Sequence, residues 1–442
     1  MRRRKASTAG SSLHTGDSRG KSAAAGGDGG DAANAGATSV SLPAAATSAT
    51  GLVWALGFLC TLVAVGVHIP ALRCGFVFDD HLAVEANADA FVGAPAADVW
   101  LHDFWGKPMG EADSHKSYRP LTVLTLQLND WLELTGLYPR PEYPAPVADG
   151  FAPTRIRDVH PEGYHAFNLL AHAAVTAAVF TLLWRLARAA VTCSSCHMEA
   201  CTATPPREAP SERPVACDRC DRTAAYATAC GSLLFAVHPV HVESVVSVVG
   251  RADILCALAG SVAVLQYLEV SGSTALARPT TMLLFAASML CKELGITFAG
   301  IFVALELLNL GGRARALGAR NFRLRRRAAM VLRFAQVATV IAVYLALRLW
   351  LVATTRVDSS VDGDGAGGAF GTSVSLQGSG LIRRAENPFH FLRGRKWLLS
   401  VVYLQLRYLR MLVWPTGLCA EYSYNCIHAV ERFRDPRAVV TW

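Results

Sequence analysis

The sequence predicts an all-α protein that crosses a membrane several times. Of its 442 residues, 52% are hydrophobic and 17% are charged, whereas soluble globular domains carry about 25% charged residues. The apolar residues fall in long runs, and about 20 of them form a helix that crosses the roughly 30 Å core of a bilayer. The net charge of +8 is concentrated beside these runs, as the positive-inside rule requires. Nucleic-acid binding is therefore not expected.

The first apolar run, 52–72, is predicted to be a signal-anchor helix. It begins too late and is too long for a cleaved signal peptide. Residues 1–50 are mostly Ala, Gly, Ser and Thr, so we expect a disordered tail without a core. The basic residues at 2–5 hold this tail in the cytosol.

Residues 51–442 are predicted to form one multi-spanning domain. Its further apolar runs are 167–184, 224–237, 252–267, 328–352 and 397–414. The Cys-rich loop 189–223 and the loop 311–327 are basic, and seven arginines lie between Arg313 and Arg327. These loops are assigned to the cytosol, whereas the first loop, 73–165, and the Gly-rich loop 353–396 are assigned to the opposite, lumenal side.

A broken hairpin is predicted between the last two cytosolic segments. The apolar run 282–291 is too short to cross a membrane alone, and Lys292-Glu293 separates it from a second run, 294–310. Lys292 could offer a cation to a phosphate, with Glu293 orienting it. A self-neutralising turn is an equally good interpretation of the pair.

Two further groups of ionisable residues lie near predicted membrane boundaries. Asp79-Asp80 follows the first run in GFVFDDHLAV, where a carboxylate can accept a proton from an incoming hydroxyl or anchor the helix end. The second group occupies HPVHVES and VVGRAD and comprises His238, His241, Glu243, Arg251 and Asp253. Ionisable groups at membrane depth are costly and tend to mark functional cavities, although a structural ion-pair network is the alternative.

Two other patterns have a structural and a functional interpretation. Arg407 and Arg410 share one face of a helix and could snorkel to headgroups or bind a phosphate. The pairs Cys193-x-x-Cys196 and Cys217-x-x-Cys220, 20 residues apart, have the spacing of a four-thiolate zinc site. A reducing cytosol favours zinc over disulfides here, and the zinc would be structural.

Several strings together resemble one family, the transmembrane and tetratricopeptide-repeat-containing (TMTC) protein O-mannosyltransferases. They are GFVFDDHLAVEANADA, LHDFWG, SHKSYRPLTVLTLQLN, GYHAFNLLAHAAVT, LLFAVHPVHVESVVSVVGRADILCAL, LCKELGITFAGI, RAENPFHFL, LQLRYLRMLVWP and AEYSYNCI, in the family's order. The Cys-rich loop has no counterpart in this resemblance.

The resemblance implies a multi-helix fold of the glycosyltransferase C type in the endoplasmic reticulum membrane. The donor would be dolichyl phosphate mannose, and the acceptor a Ser or Thr hydroxyl of a secretory-pathway protein. The family's acidic pair matches Asp79 and Asp80, its HP-x-H-x-E and GRAD strings match the five residues from His238 to Asp253, and its Lys-Glu string matches Lys292 and Glu293. Tetratricopeptide repeats would follow in the family and are expected to be absent from this chain.

On this basis we expect Asp80 to be the catalytic base, with Asp79 as the alternative. Lys292 and Arg251 would stabilise the leaving phosphate, and Glu293 and Arg407 are assigned to donor binding with them. The remaining residues assigned to the cavity are His238, His241, Glu243, Asp253 and Arg119. No cofactor is required for this chemistry, because side chains supply the positive charge. The competing hypothesis is a non-catalytic membrane adaptor or a transporter on the same scaffold.

Overall fold

The structure is a computed structural model that describes residues 49–111, 113–137, 159–190, 218–308, 320–354, 389, 392–419, 422, 426–430, 432 and 435. The tail predicted at 1–50 lies outside them except for its last two residues. The helices are α1 (Ala49–His68), α2 (Asp98–Leu101), α3 (Pro120–Leu134), α4 (Pro161–Ala190), α5 (Asp218–Ala236), α6 (His241–Val246), α7 (Arg251–Val270), α8 (Pro279–Cys291), α9 (Phe298–Leu307), α10 (Arg320–Thr354) and α11 (Gly394–Val413). Among the described residues, β structure is confined to an isolated bridge between His102 and Pro108.

Four helices are long and apolar enough to cross a membrane. They are Ala49–Arg73, Pro161–Arg188, Arg251–Val270 and Leu324–Thr354. The predicted class, an all-α polytopic membrane protein, is therefore confirmed. The run predicted at 224–237 lies in α5 except for its last residue, and α5 is not one of the four because its N-terminal residues include Asp218, Arg219, Asp221 and Arg222.

The bundle has two packed parts. In the first, α1, α4 and α5 contact one another, and Cys60, Phe180 and Ala229 are buried between them. In the second, α7, α8, α9 and α10 enclose a larger core. There the ring of Phe302 stacks on Tyr267 at 4.5 Å and meets the edge of Phe285 at 5.3 Å. Helices α4 and α7 join the two parts.

The predicted broken hairpin is present. The chain turns back after Cys291 through a 3₁₀ turn, Glu293–Thr297, and α9 returns beside α8. Gly295 lies so close to α8 that a Cβ there would approach the backbone of Ser288 and Met289 to 2.5 Å. Gly260 of α7 has the same role against Phe298, whose ring would lie 2.0 Å from an added Cβ. Only glycine allows this close packing around the turn.

The two ends of the bundle differ in charge. At one end, called the site end below, α4 and α7 begin and α1, α5, α8 and α10 finish. The opposite, basic end holds ion pairs between Arg185 and Glu269, Arg188 and Asp221, and Arg333 and Glu306, at 2.9, 2.9 and 2.7 Å. The first loop, with α2 and α3, packs against the site end.

Candidate functional site

The acidic pair of the first loop has one buried and one exposed member. Asp80 is fully buried, and its carboxylate accepts hydrogen bonds from Ser247 Oγ at 3.1 Å and from the backbone N–H groups of Val249 and Val77 at 2.9 and 3.1 Å. Asp79 is exposed. Asp80 therefore ties the start of the first loop to the segment between α6 and α7, and Asp79 is the carboxylate that faces outward.

Arg251 is a buried junction between three helices. Its guanidinium donates to Asn168 Oδ1 at 2.8 Å, Asn129 Oδ1 at 2.6 Å and the carbonyls of Thr125 and Tyr164, each at 3.0 Å. The ring of Phe167 lies 4.3 Å from its central carbon. All these partners are uncharged, and the residue is 0% exposed. Arg251 therefore joins α3, α4 and α7 and has no accessible donor for a phosphate.

Lys292, in contrast, lies at an accessible position at the turn of the hairpin. Its Nζ contacts Asp253 Oδ2 at 2.6 Å, with the lysine side chain 21% and the aspartate side chain 37% exposed. Glu243 belongs to the same cluster. Partial burial and the charge of Asp253 raise the pKa of Glu243, and Lys292 partly offsets this rise. Lys292 therefore pairs with Asp253 at the mouth of the bundle and acts electrostatically on Glu243.

Glu293 connects the hairpin to the first loop. Its carboxylate accepts the backbone N–H of Tyr118 at 2.7 Å and pairs with Arg119 Nε at 3.3 Å. The Arg119 guanidinium also lies 5.0 Å from the centre of the Phe104 ring. Burial raises the pKa of Tyr118 to about 12, so that hydroxyl stays protonated. Glu293 thus holds Arg119 beside the Lys292 cluster.

Arg348 was not predicted as part of this site. It lies near the end of α10 and donates to the carbonyl of Lys116, in the same loop as Arg119. A single arginine close to the end of an apolar run was the available signal, because such residues rarely face lipid. It brings a further cation to the site end.

His238 and His241 belong to a row of aromatic side chains. His238 donates through Nε2 to the carbonyl of Leu412 at 3.0 Å, and its Nδ1 accepts the N–H of Val240 at 3.2 Å. The His241 ring lies 5.3 Å from that of His172 and 4.4 Å from that of Phe235. Burial and, to a lesser extent, the neighbouring imidazoles lower the pKa of His241 to about 4. His241 is therefore neutral at pH 7.

The row continues to His68 of α1, whose ring lies 4.9 Å from that of His172. Sequence reasoning missed both residues, although His172 stands in GYHAFNLLAHAAVT. The row packs the end of α1 against α4 and the loop before α6.

Arg407 is not joined to these groups by any contact among the described residues. It lies on α11, and its guanidinium is 5.7 Å from the centre of the Tyr422 ring. The structure thus brings together the acidic pair, the His238–Asp253 segment, the Lys-Glu pair and Arg119, and leaves Arg407 on a separate surface.

Two groups of side chains are relevant to metals. Cys193, Cys196 and Cys217 lie outside the described residues, so the zinc site that they would form with Cys220 stays a prediction. In the first loop, single ligand atoms of Asp89, Asp98 and His102 lie within 4.8 Å of one another. His102 Nδ1 contacts Asp89 at 2.8 Å, and burial raises the pKa of Asp89 despite this contact. His102 thus already holds one oxygen of Asp89.

The site end therefore has the charge pattern that group transfer requires. An exposed carboxylate, Asp79, is available as a proton acceptor. Cations at Lys292, Arg119 and Arg348 are available for an anionic leaving group. The buried Asp80 holds the first loop against the segment between α6 and α7. The buried Arg251 holds α3 and α4 against α7.

Comparison with known proteins gives one family. Residues 379–442 match the family model described as Protein O-mannosyl-transferase TMTC, DUF1736. The chain is 34% identical to Protein O-mannosyl-transferase Tmtc3 of Drosophila melanogaster over 405 residues, which is 87% of this chain and 38% of that protein. It is also 34% identical to TMTC4 of Mus musculus over 53% of the chain and 27% of the relative. The chain is 29% identical to TMTC3 of Mus musculus, over 84% of this chain and 33% of that relative.

These matches confirm the family resemblance that the sequence motifs predict. The chain spans between about a quarter and two fifths of the length of these relatives. No solved structure matches the chain.

Proposed function

The chain is a relative of the TMTC protein O-mannosyl-transferases along most of its length, and on that premise we propose that it carries the membrane-embedded catalytic region of a mannosyltransferase. The donor would be dolichyl phosphate mannose and the acceptor a Ser or Thr hydroxyl of a secretory-pathway protein. The observation that carries the proposal is the site end itself, where an exposed carboxylate and several cations meet beside apolar helices. A lipid-linked donor needs such a boundary between hydrocarbon and water.

In the proposed reaction, the acceptor oxygen attacks the anomeric carbon of mannose while the bond from that carbon to the phosphate oxygen breaks. The hydroxyl proton passes to a carboxylate, and the electron pair of the broken bond leaves on dolichyl phosphate. A single displacement inverts the anomeric centre, so a β-linked donor gives an α-linked mannose.

Asp79 is the carboxylate that fits the role of base. Asp80, which the sequence ranked first, is enclosed and accepts three hydrogen bonds. A base must come within hydrogen-bond reach of the acceptor hydroxyl, and the exposed Asp79 meets that condition better. The hydrogen bonds of Asp80 would fix the turn that presents Asp79.

Lys292 is the proposed contact for the donor phosphate. Lys292 and its partner Asp253 are both partly exposed to solvent, so a phosphate could replace or join Asp253 as the partner of Lys292. Arg119, held by Glu293, would supply a second cation. Charge placed where the leaving group becomes negative lowers the barrier without reorganisation during the reaction. Side chains thus provide the positive charge that a metal would otherwise supply.

We also propose that the site end faces the lumen of the endoplasmic reticulum. The basic end carries Arg185, Arg188 and Arg278, together with the arginines at 325–327, and basic residues favour the cytosol. The bundle would then be of the glycosyltransferase C type. Acceptor sites for N-glycosylation inserted near residues 110 and 365 should be modified, and one near residue 205 should not. Modification near 205 would reverse the proposed orientation.

The function is tested by incubating the purified full chain, in nanodiscs, with labelled dolichyl phosphate mannose and a panel of acceptor domains. Wild-type protein should transfer the sugar. Asp79→Asn should lower turnover by roughly 10² to 10⁴, the usual contribution of a general base, with donor affinity nearly unchanged. Asp113→Asn is the matched control, because Asp113 is an exposed carboxylate in the same loop that pairs with Lys107.

Two outcomes would contradict this assignment. Full activity in Asp79→Asn would remove Asp79 from the chemistry. Donor binding without transfer to any acceptor, by wild-type protein, would favour the non-catalytic adaptor.

A further inference from the structure

Helix α11 has two opposite faces of different chemistry. At about 100° per residue, Trp397, Leu398, Tyr408, Leu409 and Leu412 fall within an arc of about 120°. All five side chains are exposed. Lys396, Arg407 and Arg410 fall within an arc of about 60° on the opposite side. Residues 393–419 contain five basic residues and no acidic residue.

The cationic face is covered by the C-terminal part of the chain. Val430 donates its backbone N–H to Ser400 Oγ at 2.9 Å, and its side chain packs with Leu399 and Tyr403. Arg407 lies over the Tyr422 ring, and its Nε is buried with no hydrogen-bond partner among the described residues. The apolar face has no such cover within the part of the chain that the structure describes.

The covering segment shows that α11 lies beside polar structure along its length. Val430 contacts the N-terminal half of α11, and its neighbours include His428 and Arg432. At the other end, His238 Nε2 donates to the Leu412 carbonyl at 3.0 Å, which places that end beside the polar loop before α6. A helix that crossed the bilayer would carry this irregular, charged segment into hydrocarbon, where lipid-exposed irregular backbone does not occur.

From these contacts we infer that α11 lies in the plane of the membrane interface at the site end, with its apolar face in the bilayer and the exposed Lys396 and Arg410 at the level of the lipid phosphates. The partner of this surface is a phospholipid bilayer. Trp397, Tyr408 and Trp414 supply the aromatic residues that favour the headgroup level, and the absence of acidic residues complements phosphate. An amphipathic helix with a strongly basic polar face behaves in this way. The inference does not depend on the chemistry proposed above.

The test measures the depth of single residues in the full-length protein in liposomes. A small fluorescent amino acid is introduced genetically at Leu398, Gln405 or Leu409, and lipids carrying a nitroxide near the headgroup or deep in the acyl chain quench it. All three positions should lose more fluorescence to the shallow quencher than to the deep one, and to a similar extent. The same probe at Val331, Val343 and Leu349 of α10 is the matched control, because depth should change along a crossing helix.

Three results decide the inference. Equal, shallow depths at 398, 405 and 409 support it. A depth that changes steadily from 398 to 409 would mean that α11 crosses the membrane and would overturn it. Absence of quenching at all three positions would mean that protein covers the apolar face, and would also overturn the inference, provided that the variants elute like wild type in size-exclusion chromatography.

Discussion

Two cations that the sequence assigned to the same phosphate, Arg251 and Lys292, occupy opposite kinds of surroundings. Arg251 is 0% exposed and donates to four oxygens on two other helices, α3 and α4. Lys292 is partly exposed and has one carboxylate partner, Asp253. The helix start that carries Arg251 and the hairpin turn that carries Lys292 are neighbours, so location alone does not distinguish them.

The difference shows how a buried charge is used. A charge whose donors are all occupied stabilises a junction, since each hydrogen bond to it compensates for lost hydration. A charge with spare donors and access to water can bind a ligand. Asp80 and Asp79 differ in the same way in accessibility, since Asp80 is buried and Asp79 is exposed. The difference predicts that substitutions of the buried residues reduce stability, whereas substitutions of the accessible ones reduce binding or turnover.

The largest effect on stability is expected for Arg251→Ala. The change leaves the amide oxygens of Asn129 and Asn168 without their donor and opens a cavity, so the free energy of unfolding should fall by about 4 kcal/mol or more. Thermal unfolding in detergent, followed by intrinsic fluorescence, measures it. Arg251→Lys should recover only part of the loss, because one ammonium group cannot reproduce the guanidinium fork. A variant that unfolds like wild type but loses donor affinity would show that Arg251 contacts phosphate.

A smaller loss is expected for Asp80→Asn. The amide keeps one acceptor oxygen but places an NH₂ group opposite a hydrogen-bond donor, which should cost about 1–3 kcal/mol. The same thermal assay measures it, with Asp79→Asn as the comparison that should leave stability nearly unchanged. Equal stability of the two variants would remove the distinction drawn here between the neighbouring carboxylates.

The histidine row predicts a pH dependence. The pKa of His241 is about 4 in the folded protein and about 6.5 when unfolded, so the unfolded state binds more protons between these values. Stability should therefore fall as the pH decreases from 6.5 towards 4, by roughly 1–2 kcal/mol between pH 7 and pH 5 from this residue. Unfolding temperatures of wild type and His241→Gln across this range measure the difference. The exposed His428→Gln variant should retain the wild-type slope, and parallel curves for all three proteins would exclude His241 as the cause.

The smallest change in stability is expected for Lys292→Gln. A partly exposed ion pair contributes less than about 1 kcal/mol, so the unfolding temperature should move little. If Lys292 has the proposed role, donor affinity and turnover should both fall, because the cation would act on the phosphate before and during transfer. Titration with dolichyl phosphate measures the affinity for the lipid phosphate, and the transfer assay measures turnover. A large loss of stability with intact affinity would place Lys292 in the same class as Arg251.

The helices follow closely from the sequence. The apolar runs at 52–72, 167–184, 252–267 and 328–352 lie within the four helices that are long and apolar enough to cross a membrane. The hairpin follows from the shortness of its first run and the charged pair at its turn. The helical content of the first loop was less apparent, although Pro120 is suited to the first helical position of α3.

The roles of the site residues could not be assigned from the sequence. Asn168, Asn129 and Tyr164, which hold Arg251, are 83, 122 and 87 positions away. Ser247 is 167 positions from Asp80. Spacing identifies which residues are ionisable and close to a membrane boundary, but it does not reveal which of them find enough partners to be enclosed. The sequence therefore ranked Asp80 above Asp79 and grouped Arg251 with Lys292.

The contacts between the first loop and the hairpin have a consequence for biogenesis. Thr122 donates its hydroxyl to the carbonyl of Cys291 at 2.9 Å, and Glu293 accepts the N–H of Tyr118 at 2.7 Å. The end of α8 leaves the Cys291 carbonyl outside the helix, where hydrocarbon could not satisfy it, and Thr122 of the first loop supplies its donor. During synthesis this loop emerges about 170 residues before the hairpin does. The segment that contacts the turn is thus synthesised before the turn itself, so the hairpin can form these contacts as soon as it emerges.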